Sequence, residues 1–238
     1  MAVSVYHSAM PTDPGRLWTP DELLGPLNAE EARYAPKQLF ASGHTEWLQR
    51  SPRVAIVGAR KASDEGLRRT ARLVRVLVKH DATIISGLAE GIDHAAHTTA
   101  IGEGGRTIAV IGTPLDEAYP AKHRRLQHQM MTGHLVVSQF PSGYPVTRKN
   151  FPLRNRTMAL ICEASVIVEA GDGSGSLSQG WEALRLGRPL FLMASLMARS
   201  DLTWPKQMLE HGAMVLETPE DLLVRLRSVV DDPLAAIA

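Results

Sequence analysis

The apolar positions of this chain gather into short unbroken runs separated by longer amphipathic stretches. Val54-Ala55-Ile56-Val57 runs into Gly58 without a polar interruption, the pattern of a strand buried on both faces of a parallel sheet. Comparable runs end at Ser86-Gly87, Gly112, Ser138, Glu169, Met193 and Leu216. Between them the apolar spacing turns helical. Leu67, Ala71, Val74 and Val78 form one stripe over 65–79, and further helices are predicted at 91–103, 122–132, 154–163, 176–186 and 219–230. Strand and helix alternating in this way predict an α/β doubly wound, mostly parallel sheet with helices on both faces.

Texture also divides the chain. Residues 1–50 are rich in Pro and polar residues, with apolar patches at Leu23-Leu24 and Leu39-Phe40. They are expected to form an N-terminal extension packing on the core, with short helices around 21–34. The main domain is expected over 51–230, and 231–238 as a frayed C-terminal tail. The stretch 190–196 and the helical segment with Met208 and Leu209 read either as core or as a dimer surface.

Composition narrows the class only a little. The apolar (44%) and charged (21%) fractions are those of an ordinary globular protein, and with 5% aromatics the core must rest on aliphatic side chains and Met. The single cysteine, Cys162, excludes an internal disulfide, fits a reducing cytoplasm, and reads as a small buried residue ahead of a strand. No run of about 18 apolar residues and no secretory apolar region is present, so the expectation is a cytoplasmic protein with no membrane partner.

Charge is more telling. From Ala121 to Cys162 there are seven basic residues (Lys122, Arg124, Arg125, Arg148, Lys149, Arg154, Arg156) and no acidic one, although the whole chain carries only +1. That asymmetry suggests a surface that meets an anion, nucleic acid or phosphate; the plain alternative is a set of solvated side chains on unrelated faces. The stretch Phe151-Pro152-Leu153-Arg154-Asn155-Arg156 concentrates this charge beside an aromatic ring.

In a doubly wound sheet ligands bind outside the carboxyl ends of the strands. Here those ends are small or polar: Gly58-Ala59-Arg60, Ser86-Gly87, Gly112-Thr113, Ser138 and Ala170-Gly171. The loop Gly171-Asp172-Gly173-Ser174-Gly175-Ser176 opens a helix directly after a strand, where backbone N–H groups can cradle a phosphate. The turn after the first apolar strand lacks the GxGxxG fingerprint, and no Walker A loop occurs, so no nucleotide cofactor is expected. Asp93, His94 and His97 share a helix without HExxH or a cysteine pair, which favours a structural role in the domain centre over a metal site. No catalytic residue is assigned; Glu169, beside the glycine loop, is the one carboxylate with a case for testing.

Six stretches taken in order resemble the DprA/Smf family of DNA-processing proteins: VAIVGAR (54–60), IISGLAEGIDHAAH (84–97), GGRTIAVIGTPLDEAYP (104–120), FPLRNR (151–156), VIVEAGDGSGSL (166–177) and GRPLFLM (187–193). The resemblance spans about 36–225. It implies an extended Rossmann-like domain that binds single-stranded DNA, forms a homodimer and loads a RecA-type recombinase in DNA uptake or recombination. It also implies DNA-binding roles for Arg60, Ser86, Gly87, Lys149, Phe151, Arg154, Asn155, Arg156, Gly175 and Ser176. Lys122 joins them, because the family's lysine directly after Tyr-Pro is replaced here by Ala121.

Other departures are Ala59 for the serine of the family's VGSR turn, Ser178-Gln179-Gly180 after the SGSL motif, Ala194-Ser195 for Pro-Gly, and Trp204-Pro205 for Asn-Leu. The chain also shows neither the helical N-terminal module nor the winged-helix domain of many relatives. A small-nucleotide sensor or phosphoribohydrolase of the same superfamily is the second reading, although Ser178 and Gln179 stand where its catalytic Glu would be. Arg154 and Arg156 are both placed to hold phosphate, or one of the two instead braces Glu169 or the fold; the sequence does not say which.

Overall fold

A computed structural model of the chain describes residues 15–231. In chain order these hold β1 (Arg16–Trp18), α1 (Pro20–Leu24), α2 (Ala29–Tyr34), β2 (Leu39–Gly43), β3 (Arg53–Val57), α3 (Asp64–Lys79), β4 (Thr83–Ser86), α4 (Ile92–Gly102) and β5 (Thr107–Ile111). Then come α5 (Arg124–Gly133), β6 (Leu135–Ser138), α6 (Asn150–Ile161), β7 (Ala164–Ile167), α7 (Ser176–Arg185), β8 (Leu190–Met193), α8 (Trp204–Glu210), β9 (Met214–Leu216) and α9 (Pro219–Asp231).

Among the described residues the strands form one sheet in the order β1-β2-β6-β5-β4-β3-β7-β8-β9. All pairings from β6 through β9 are parallel, while β1–β2 and β2–β6 are antiparallel. The chain winds outward from β3 to β6, then crosses back through α6 to place β7 on the other side of β3. The topological switch point therefore lies between β3 and β7, where doubly wound folds bind ligands. The doubly wound, mostly parallel α/β sheet expected from the apolar runs is the one observed, in the Rossmann-like form that the resemblance implied.

Period-two alternation assigns each strand residue to a face. Val54 and Ile56 pack with Leu73, Val74 and Leu77 of α3 and with Ile92 and Ala96 of α4. Ala55 and Val57 pack on the opposite face with Met158 and Ile161 of α6. Cys162 is buried in this second layer and Leu190, Leu192 and Met208 belong to it, so these last three, left between core and surface by their sequence, are core.

Residues 15–50 add two antiparallel strands to the sheet's edge as well as two short helices. Each helix is closed by a capping box, Thr19 with Glu22 and Asn28 with Glu31. Arg188 of the α7–β8 loop bonds Glu31 at 2.5 Å, and the Arg185 guanidinium lies 3.5 Å from the Tyr34 ring centroid, tying α2 to α7.

Helix α6 begins at Asn150, four residues earlier than its apolar spacing suggests. Pro152 is tolerated because it lies in the first turn, where the backbone N–H has no intrahelical partner. The Asn150 side chain fixes this start by donating to the Gly112 carbonyl at 3.1 Å and the Pro145 carbonyl at 3.2 Å.

Candidate nucleic-acid interface

The loops after β3 and β7 and the first turns of α6 enclose a cleft of about 800 Å³ at the switch point. One wall is Gly58-Ala59-Arg60-Lys61 after β3, and the facing wall is the run from Gly171 to Ser176 after β7. Phe151 and Arg148 reach it from the start of α6, and Tyr119 from the β5–α5 loop. Among the described residues no carboxylate lies within ion-pairing distance of Arg60, Lys61, Arg148 or Lys149.

Two rings meet at the mouth. The Phe151 ring centroid is 5.2 Å from that of Tyr119, and the Arg60 guanidinium lies 5.4 Å from the Phe151 centroid. Gly112 makes room for this ring, since a Cβ there would lie 2.9 Å from the Phe151 Cδ1. Phe151 is half-buried, with one face packed on the protein, where the sequence suggested an exposed ring.

The floor is polar and internally bonded. Arg154 is 6% exposed, and its Nη1 donates to the carbonyls of Gly87 at 2.6 Å and Val110 at 2.8 Å, while its Nε donates to Asn155 Oδ1 at 2.9 Å. A Cβ on Gly87 would fall 2.0 Å from that Nη1, so only glycine lets the guanidinium pass. Asp93 faces the same place, its carboxylate accepting the backbone N–H groups of Gly87 at 3.2 Å and Ala89 at 3.3 Å. Burial pushes the Asp93 carboxyl above its usual range, against the opposing pull of Arg154. Asn155 donates to the Gly175 carbonyl at 3.0 Å, locking the glycine loop to α6.

The eleven residues assigned from the resemblance thus separate. Arg60, Phe151, Arg154, Asn155, Gly175 and Ser176 meet at the cleft. Ser86 is buried beneath it, its hydroxyl donating to the Ile56 carbonyl at 2.6 Å, and Gly87 lies under the Arg154 guanidinium. Lys149 is exposed beside Arg148, just ahead of α6. Arg156 turns away to Glu182 at 3.4 Å and the Tyr34 ring at 5.4 Å, and Lys122 pairs with Glu90 at 2.8 Å outside the cleft wall.

Neither FPLRNR arginine touches Glu169. That carboxylate instead accepts the Ser63 backbone N–H at 3.0 Å and hydroxyl at 2.6 Å, closing the start of α3. The binding set taken from the resemblance left out Lys61, Tyr119, Arg148 and Gln179, all of which line the cleft. The first three sit in loops with no periodicity to mark them, and Gln179 lies on the helix the sequence predicted at 176–186, where spacing alone did not say that it faces the cleft.

Beside the floor, His97 is buried, and its Nδ1 lies 2.7 Å from the Thr107 hydroxyl. Burial first, then the neighbouring His94, His134, Arg154 and His123, lowers its pKa to about 3. The folded value lies below the unfolded one of about 6.5, so the unfolded chain binds the proton first. This contribution to stability is complete above about pH 6.5 and is lost as pH falls towards 3, at about 1.4 kcal/mol per pH unit. Thermal melts between pH 7 and 5 should show the Tm falling, and more steeply for the native chain than for His97→Gln. Parallel profiles would remove His97 from the account. Among the described residues no group of three His, Cys, Asp or Glu side chains is placed to hold a metal ion, and no helix is long and apolar enough to cross a membrane.

Fold and cleft together define a Rossmann-like α/β protein with an open cleft at its switch point, lined by Arg60, Lys61 and Arg148. Comparison with known proteins makes this specific. The family described as DNA recombination-mediator protein A matches residues 16–227, and the chain belongs to that family. It is 36% identical over 198 residues to the DNA processing protein DprA of Streptococcus pneumoniae, covering 83% of this chain and 70% of that one. With the Smf protein of a Synechocystis strain it shares 36% over 214 residues, covering 89% of this chain and about half (54%) of the relative.

The X-ray structure of the pneumococcal protein superposes with a TM-score of 0.78 at 32% identity, over 92% of this chain and 76% of that one. DNA processing protein A from Helicobacter pylori, solved to describe its single-stranded DNA binding mode, gives 0.75 at 25% identity, over 92% and 97%. A molybdenum cofactor carrier protein from Chlamydomonas reinhardtii, at 16% identity and 0.53, shares the fold alone.

Proposed function

We propose that this DprA-type protein binds single-stranded DNA in the switch-point cleft, without catalysis of its own, and acts in recombination as a cytoplasmic homodimer that passes the strand to a RecA-type recombinase. The observation that carries the binding is the mouth of the cleft, where an aromatic face stands among cations with no carboxylate within ion-pairing distance among the described residues. Phosphates neutralise such cations, and bases of any identity stack on such a ring. The Helicobacter pylori relative, whose single-stranded DNA binding mode is known, supports this reading, as does the family's description as a recombination mediator. The phosphoribohydrolase alternative finds no support, because both oxygens of Glu169 are occupied by Ser63 and the residue is not part of the cleft wall.

Counterion release provides the test. With Arg60, Lys61, Arg148 and Lys149 engaged, the plot of log affinity against log salt should have a slope of about −3 for single strands. Anisotropy of a labelled oligo-dT and of a duplex at several salt concentrations measures it. Single strands should bind more tightly than duplex, and binding indifferent to salt would sink the proposal.

A further inference from the structure

Lys122 lies outside the cleft and belongs to a separate hollow of about 380 Å³, lined by Glu90, Gly91, His94, Lys122 and His123. The hollow adjoins the cleft directly. Ala89 lines the cleft and its neighbour Glu90 the hollow. Gly91 packs against the backbone of Ala59 and Arg60, and the Ile92 N–H donates to the Ala59 carbonyl at 3.2 Å. On the other side Tyr119 of the cleft mouth is followed within the same loop by Lys122.

The walls are fixed. The His123 ring is buried, with its Nδ1 held 2.9 Å from the Leu88 carbonyl, and it lies 4.8 Å from the half-buried His94 ring. Arg124 and Arg125 follow His123 directly at the start of α5, exposed and without an ion pair among the described residues. The single acidic residue, Glu90, is paired with Lys122, but both side chains are largely solvent-exposed (43% and 62%). An ion pair of that kind is worth at most about 1 kcal/mol, so a strand phosphate can replace the carboxylate at little cost.

We propose that this hollow is a second nucleotide subsite, which takes the strand as it leaves the cleft past Tyr119. A phosphate sits on Lys122, a base lies against the imidazole of His94, and Arg124 and Arg125 guide the backbone beyond. This rests on the reading of the cleft as a single-strand site and names where the next nucleotides go.

Two oligo-dT probes separate the subsites, one of about four nucleotides that fills the cleft and one of about twelve that reaches past it. The Lys122→Gln/Arg124→Gln/Arg125→Gln variant should lose about tenfold in affinity for the long probe. Its salt slope should shrink by about 2, the share of three single-strand phosphate contacts. The loss should be confined to the long probe. His94→Ala should weaken long-probe binding a few-fold with the slope unchanged, as removal of a stacking face would. If the native chain binds both probes and neither variant alters the long-probe affinity, the second subsite is overturned and the cleft reading stands. If the short probe weakens as much as the long one, these residues serve the cleft itself and the proposal fails. A native chain that binds neither probe removes the cleft reading and this inference together.

Discussion

Replacing Arg154 with methionine is expected to destabilise the fold before it does anything specific to DNA. The guanidinium is the common partner of the Gly87 and Val110 carbonyls, and it faces the buried Asp93 carboxylate. Methionine fills similar volume but leaves both carbonyls without their donor. Stranding a buried acceptor costs about 1–3 kcal/mol, about 2–6 kcal/mol for the two. For a chain of this size that lowers Tm by roughly 4–24 °C.

The partner mutation sharpens the test. Asp93→Asn removes the charge that Arg154 faces while keeping an acceptor for the Gly87 and Ala89 N–H groups, so the double variant should recover part of the loss. Calorimetric melts of the two single variants and the double variant decide it. Should Arg154→Met keep its Tm and lose only DNA affinity, the side chain would be a phosphate ligand after all.

Arg154 also shows what a sequence can and cannot carry. The six residues of FPLRNR announce charge, an aromatic and a helix start, and all three are present. Their division of labour depends on the register of α6 against the sheet. Position 154 faces inward over the ends of β4 and β5, 155 faces the glycine loop after β7, 151 faces the cleft, and 156 points towards α2 and α7, where Tyr34 and Glu182 await it. Because side chains three and four apart share a helix face and adjacent ones do not, a start displaced by four residues keeps the stripe but alters which neighbours each residue meets.

The parallel strands were legible because burial on both faces leaves an unbroken apolar run. β1 and β2 escaped notice because strands of three and five residues with mixed burial are too short to carry a clear periodic signal. Lys122 is the instructive case for the site. Its place two residues after Tyr-Pro suggested the cleft, but the short 3₁₀ turn at Ala121–His123 carries it round to Glu90 instead.

Phe151 is where a loss of binding should appear without a loss of fold. Its ring lies at the cleft mouth, against Tyr119 and beneath the Arg60 guanidinium, outside the packed layers on either side of the sheet. Phe151→Ala removes a stacking platform worth about 1–3 kcal/mol per base, a fall in single-strand affinity of about 5- to 150-fold. Because no charge is lost, the salt slope should stay where it is, whereas Arg60→Gln should lower it by about 0.7. Phe151→Trp should retain binding, since the indole presents a larger face to the same space. An oligomer with abasic sites offers nothing to stack, so the native chain and Phe151→Ala should bind it alike. A difference on that probe would assign the ring to shaping the path of the backbone, and equal affinity of both proteins for ordinary oligo-dT would remove Phe151 from the site.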